Sequence, residues 1–128
     1  MLYASIVFII NESGDVLILK RSDNSNSFPG VWALPGGKTE GNETAKETAI
    51  REVGEETQIH LMEDKLNFLH KTVSGEKEFW FFWSSVKRAN PVIDEEHKDW
   101  LWIDRWGVKE ACGIPTDPEV WEKFMALY

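Results

Sequence analysis

The chain has 128 residues and a formal charge of −8, with 42% hydrophobic and 12% aromatic residues. That length predicts one domain, residues 1–128, and that composition excludes a disordered chain. The charge excludes a stable general grip on nucleic acid, which needs a basic surface, but leaves room for a phosphate substrate bridged to the protein by a divalent cation.

Leu2–Ile10 and Val16–Leu19 are apolar, β-favouring runs. The turn cluster Asn11-Glu12-Ser13-Gly14-Asp15 lies between them, which predicts a hairpin. The opening stretch MLYASIVFII lacks a basic n-region, so it reads as a strand and not a signal peptide. No segment is long enough to span a membrane. Ser22–Ser27 is polar and loop-like, and Val31–Leu34 is a short extended piece stopped by Pro35-Gly36-Gly37. Thr44 with Glu47 three residues on is a capping-box signature, predicting a helix from there to about Thr57. Two further strands are expected at Leu66–Val73 and Glu78–Val86, then a charged loop at Asn90–Lys98 and a strand at Trp100–Ile103. Helical pieces are expected over Arg105–Ala111 and Asp117–Leu127, with Pro118 suited to a helix start. Strands interrupted by one early helix and closed by others read as α/β or α+β. The one cysteine, Cys112, permits no intramolecular disulfide; it reads as a buried or half-buried thiol and fits a reducing, cytoplasmic home.

The early helix concentrates charge. On a wheel of about 100° per residue with Ala45 at zero, Ala45, Ala49, Val53 and Ile50 cover roughly 0° to 140°. Glu52, Glu55 and Glu56, spaced i, i+3, i+4, fall between roughly 280° and 20°, overlapping the apolar border. Carboxylates about 4 Å apart near a surface repel by roughly 4 kcal/mol at an effective dielectric near 20. Three of them at the core's edge therefore suggest a cation, and hard oxygen ligands suit Mg²⁺ or Mn²⁺. The alternative is an ordinary solvated acidic face, with Arg51 pairing to Glu47 and Glu55 at i±4.

The flanking residues add a pattern. From Gly37, Glu43 follows after five residues, then Arg51-Glu52-Val53 after seven more, then Glu55-Glu56 and Ile59. This resembles the Nudix box, G-x5-E-x7-R-E-U-x-E-E-x-G-U, with U a bulky aliphatic residue. Only Gln58 departs, standing where the family has glycine after the helix end, a position that favours left-handed backbone. The upstream LILKR and GVWALPGGK are similar to MutT-type members. The resemblance implies a Nudix fold, an α/β/α sandwich with a mixed β-sheet. It also implies Mg²⁺-dependent hydrolysis of a nucleoside diphosphate linked to another group, X.

By motif position, Glu52, Glu55, Glu56 and the Gly36 carbonyl are the expected metal ligands. Arg51 is expected to hold the glutamates in place and Glu43 to brace the loop or bind through water. The base comes from either a box glutamate, such as Glu55 or Glu52, or a later acidic loop, where Glu96 is the first choice and Glu95 the second. An exposed acid run remains the alternative for that loop. His97 reads as a surface histidine and not a catalyst. Arg21 and Lys38 are the cations nearest the motif; the resemblance to MutT-type members implies that they meet phosphate or sugar, with plain surface charge as the alternative. Phe28 and Trp32, and further on Phe79, Trp80 and Trp83, are aromatic candidates for stacking on a base, with core packing as the alternative for each.

The MutT-like stretch favours a nucleoside triphosphate, ordinary or oxidised, cleaved to monophosphate and pyrophosphate. ADP-ribose hydrolases of the family carry a proline some fifteen residues past the box; Val73-Ser74-Gly75 has none. Dinucleoside-polyphosphate hydrolases place a tyrosine slightly further on; Glu76 to Phe79 hold none. Those substrates, nucleotide sugars and a non-catalytic nucleotide-binding module remain the alternatives, the last disfavoured because every box glutamate is present. The expected partner is a small nucleotide, and the assembly a monomer or homodimer.

Overall fold

The computed structural model describes residues 1–128. Its centre is strand β1 (Leu2–Ile10), whose run IVFII is apolar without alternation because both faces are covered. Alternate residues divide between two cores. Phe8 and Ile10 face one side, where they meet Ile18, Phe81, Val120, Trp121 and Phe124. Val7 and Ile9 face the other, against Leu17, Leu19, Ala49, Val53 and Phe82. Phe8 and Phe124 stack with ring centroids 4.5 Å apart. Each such side chain contributes about 1.5–3 kcal/mol by leaving water.

Strand β2 (Val16–Arg21) follows the expected turn, in which the Asn11 side-chain oxygen accepts from the backbone N–H of Ser13 and Asp15. The expected hairpin forms only at its closed end. β1 and β2 pair only at Ile10 with Val16 and then part. The gap is filled by the segment between strand β3 (Trp32–Ala33) and strand β4 (Gly36–Lys38). β3 pairs with β2 and β4 with β1, while the Val7 N–H donates to the Pro35 carbonyl at 2.9 Å. Pro35-Gly36-Gly37 therefore does not simply end a strand, since Gly36 and Gly37 belong to a new one.

Helix α1 (Ala45–Thr57) has its capping box as read: Glu47 N–H donates to Thr44 Oγ1 at 3.1 Å and Thr44 N–H to Glu47 Oε1 at 2.9 Å. Gln58 ends it in the left-handed region, φ 61° and ψ 18°, without glycine. A single 3-10 turn, Glu63–Lys65, leads to strands β5 (Asn67–Ser74) and β6 (Lys77–Ser85), an antiparallel pair. β6 returns beside β1 in parallel, from Leu2 opposite Glu78 to Ile10 opposite Ser85. Strand β7 (His97–Ile103) pairs antiparallel with β2 and starts earlier than expected. Helix α2 covers only Val108–Ala111, because the Asp104 side chain accepts from the N–H groups of Trp106 and Gly107 and holds that stretch as a turn. Helix α3 (Pro118–Met125) is capped by Asp117 with Pro118 in its first turn. The sheet is mixed, with α1 packed on one face and α2 and α3 on the other, as the expected α/β/α sandwich requires.

Candidate active site

Arg51, in the middle of α1, organises the acidic face. Its Nε and Nη2 fork onto Glu43 at 2.7 and 3.0 Å. Its Nη1 donates to Glu52 at 2.8 Å and Glu55 at 2.9 Å, and its Nη2 also reaches the Lys38 carbonyl at 2.9 Å. The simple solvated-face arrangement fails at one partner, because Glu47 serves the capping box instead. The Arg51 guanidinium, with help from the Glu40 N–H and Thr48, holds the Glu43 carboxyl down at about 2. Arg51 is in turn pushed above its usual value by Glu43.

The three glutamates differ sharply in environment. Glu55 is half exposed, with its side chain 52% accessible. Burial raises the Glu52 pKa against the opposing pull of Arg51. Glu56 is 4% exposed, which is what its place between Ala45 and Ala49 on the wheel implies. Burial pushes its pKa well above the usual carboxylate range, although the Gly36 N–H donates to Oε1 at 2.9 Å.

Two glycines make this approach possible. A Cβ on Gly37 would collide with the Glu52 carboxylate, and one on Gly36 with the Ser5 carbonyl of β1. The helix carboxylates therefore lie directly against backbone.

Around them are two openings. A cavity of about 1010 Å³ is lined by Gly36, Gly37, Lys38 and Glu52, by an apolar wall including Leu34, Phe79, Phe81, Ile114 and Trp121, and by the loop Ser22–Phe28. A second cleft of about 470 Å³ has no apolar lining at all and contains Glu40, Arg51, Glu55 and Asp94. Glu52, Glu95 and Glu96 line both, so the acid cleft and the apolar cavity meet at those three residues.

The other expected contacts divide. Arg21 lines the cavity but donates to the Ser27 carbonyl at 2.8 Å and to Ser25 at 3.0 Å, so it also shapes the loop. Phe28 lines the cavity, 44% exposed and with φ 47°, a conformation uncommon for a side chain of that bulk. Lys38 lines it beside Tyr3, whose phenol pKa it lowers. Trp32 does not line it: the indole packs against the first core with Lys20 over its ring at 5.8 Å. Trp80 and Trp83 also lie outside the lining, and Phe79 within it. Cys112 is half-buried in the cavity wall, and burial pushes its thiol up to about 11.

His97 is not a surface residue. Its side chain is 6% exposed, with Nδ1 2.7 Å from Asp94 Oδ1 and Nε2 4.0 Å from Glu56 Oε2. Sequence reading missed this, as it missed Tyr3 and Thr48; the i, i+3 spacing of Asp94 and His97 was the only local sign.

The donor set fits a hard divalent cation. It offers carboxylate oxygens and nearby backbone, and the buried Glu56 has one neutral N–H donor and no hydrogen-bonded cation. No three of these acidic or imidazole side chains converge on one point as they stand. Arg51 draws Glu52 Oε1 and Glu55 toward itself, leaving Glu52 Oε2 free of it.

The NUDIX domain model matches residues 2–124. The chain belongs to the NUDIX domain family. This NUDIX domain is accordingly a hydrolase of nucleotide phosphoanhydride bonds, a family whose members generally use divalent metal ions. It is 27% identical to the dihydroneopterin triphosphate diphosphatase of Haemophilus influenzae, over 94% of this chain and 84% of that one. It is 31% identical to the nucleoside triphosphatase NudI of Escherichia coli, over 74% of this chain and 77% of that one. The solved MutT protein from Methanosarcina mazei Go1 superposes on the NUDIX domain with a TM-score of 0.77 and 27% identity, covering 98% of this chain and 94% of that one.

Proposed function

We propose that this NUDIX domain is a Mg²⁺- or Mn²⁺-dependent pyrophosphohydrolase that cleaves a nucleoside triphosphate, ordinary or oxidised, to the monophosphate and pyrophosphate. The observation that carries the reading is the meeting of an acid cleft and an apolar cavity at Glu52, Glu95 and Glu96. A nucleotide has the same two-part chemistry, a flat apolar base and a polyanionic tail. The named actions of the Haemophilus and Escherichia relatives, on a pterin triphosphate and on nucleoside triphosphates, support the same substrate class.

Glu52, Glu55, Glu56 and the Gly36 carbonyl would hold the ion. When bound, it screens phosphate oxygens and makes a neighbouring water more acidic. Everything else falls to the chain's own residues. Lys38 and Arg21 meet the phosphates, and Phe28 stacks on the base at the cavity mouth. Glu96, with Glu95 beside it, accepts the proton of the attacking water as its oxygen bonds to phosphorus and the bridging oxygen leaves with its phosphate group. Arg51 keeps Glu52 and Glu55 in register with the Lys38 backbone. This is catalysis by positioning and charge neutralisation, which phosphoryl transfer chiefly needs. The setting implied is cytoplasmic and the partner a small molecule; no helix is long and apolar enough to cross a membrane.

The test is release of pyrophosphate or phosphate from a panel of triphosphates, ADP-ribose, nucleotide sugars and dinucleoside polyphosphates, with Mg²⁺ and with EDTA. Metal-dependent pyrophosphate release from a triphosphate is expected. Tight nucleotide binding without turnover in either condition would identify a binding module instead.

A further inference from the structure

His97 is the one buried imidazole beside the box glutamates, and no step above uses it. Its position is built by several features. β7 pairs with β2 in regular register from Ile103 to Asp99, opposite Lys20, and then shifts, so that Arg21 faces His97 and Lys98 is the extra residue. Such a bulge re-aims the side chains around it. Here it coincides with His97 turning inward until its side chain is 6% exposed. The imidazole then lies between two carboxylates from different elements, Asp94 of the loop at 2.7 Å and Glu56 of α1 at 4.0 Å.

The loop carrying Asp94, Glu95 and Glu96 is tied by backbone on either side of those residues, and Ile93 packs against the core that holds Ala49 and Val53. Val92 N–H donates to the Thr57 carbonyl at 3.0 Å, and the Glu96 carbonyl accepts from Ser22 N–H at 2.8 Å. Just past the second tie, His97 carries the imidazole that reaches from the loop toward the carboxylate face of α1. Glu56 is likewise fixed on one oxygen only, by Gly36 N–H, while its other oxygen faces the imidazole.

We propose that His97 is a positioning residue that spans Asp94 and Glu56, fixing the orientation of the buried glutamate and the distance of the Glu95-Glu96 loop from it. This rests on the metal-dependent hydrolase reading above and extends it to a residue outside the box. It acts through Glu56 and the loop and touches no substrate atom. Residues that orient metal-holding side chains in this way are worth about 10–100-fold in metal affinity or activity.

The experiment uses the full chain with His97→Asn and His97→Ala. Asparagine keeps an amide where Nδ1 stands, so it retains a partner for Asp94 while vacating the side that faces Glu56. Mn²⁺ affinity is read by electron paramagnetic resonance of the free ion, kcat and KM on the triphosphate turned over best, and folding by thermal melting. In a folded His97→Asn protein, Mn²⁺ affinity is expected to fall about tenfold and kcat by at least as much. KM should stay near the wild-type value, because the cavity lining is untouched. Mn²⁺ affinity and kcat equal to wild type in either folded variant would overturn the proposal. If the wild-type protein itself neither binds Mn²⁺ nor turns over any triphosphate, the proposal falls together with the reading beneath it, a failure seen without any variant.

Discussion

The two faces of the sheet each carry a polar cluster at the edge of a hydrophobic core, and the clusters are balanced differently. On the α3 face, Asp117 caps the helix through Glu119 N–H at 3.0 Å and also accepts from His70 at 3.0 Å and Thr72 at 2.9 Å. Lys123 meets the other imidazole nitrogen at 2.9 Å. One carboxylate and one ammonium flank a ring, and every polar side chain has a protein partner. On the α1 face, Glu43, Glu52, Glu55, Glu56, Asp94, Glu95 and Glu96 gather around one arginine. A cluster closed within the protein is architecture. A cluster left with surplus carboxylates, one of them buried, is one that a cation from outside would balance, as the proposed function requires.

Substitutions on the α1 face should separate activity from stability, and the largest effect is expected there. Glu55→Gln and Glu56→Gln should each lower turnover by orders of magnitude while the fold survives. For Glu56 the sign of the stability change is specific. Its folded pKa lies above the unfolded value, so the ionised form costs stability once pH rises above about 4.5. Metal-free Glu56→Gln should therefore melt above the wild type at neutral pH, and the difference should vanish below that pH. A variant that lost activity and melted lower at neutral pH would contradict the surplus-charge account.

Asp117→Ala on the opposite face should behave the other way. Loss of the cap and of the contacts to buried His70 and half-buried Thr72 should lower the urea midpoint, with turnover at saturating substrate retained. Within the acid face, the Arg51–Glu43 fork should act as architecture. Glu43 has its folded pKa lowered to about 2, so its contribution is complete above about 4.5 and lost as pH falls toward 2. Glu43→Gln should thus lower the unfolding free energy measured in urea at pH 6 by about 1 kcal/mol, discounted for solvent screening, and leave it unchanged below about pH 2. The smallest expected effect is a gain. A Cβ at Gly54 would touch nothing within 4 Å, so Gly54→Ala should stabilise α1 by about 0.5–1 kcal/mol in thermal melting.

What could be read in the sequence was local. The capping box at Thr44 and Glu47, the apolar side of α1 and the crowding of Glu56 toward it all follow from short spacings that a helix converts directly into position. Gln58 shows the limit of residue identity: the left-handed turn forms without glycine, because the chain must leave the helix there. The pairing of β1 with β6 was illegible, since the two strands are brought together across α1 and β5 with no local mark. The fork between β1 and β2 was hidden for the same reason: a hairpin signal specifies the turn and not what happens beyond its closing pair. His97 was misread as a surface residue, and Trp32 took the core-packing alternative. The exposure of each depends on which strand lies beside it, and a single residue's chemistry does not say.

Arg51 Nη1 already holds oxygens from Glu52 and Glu55 at 2.8 and 2.9 Å. Any ion that seeks those same atoms must compete with a resident guanidinium, so occupancy depends on the difference between two strong attractions and not on the larger one. The arginine that keeps Glu52 and Glu55 ordered would thereby raise the concentration at which those particular oxygens fill.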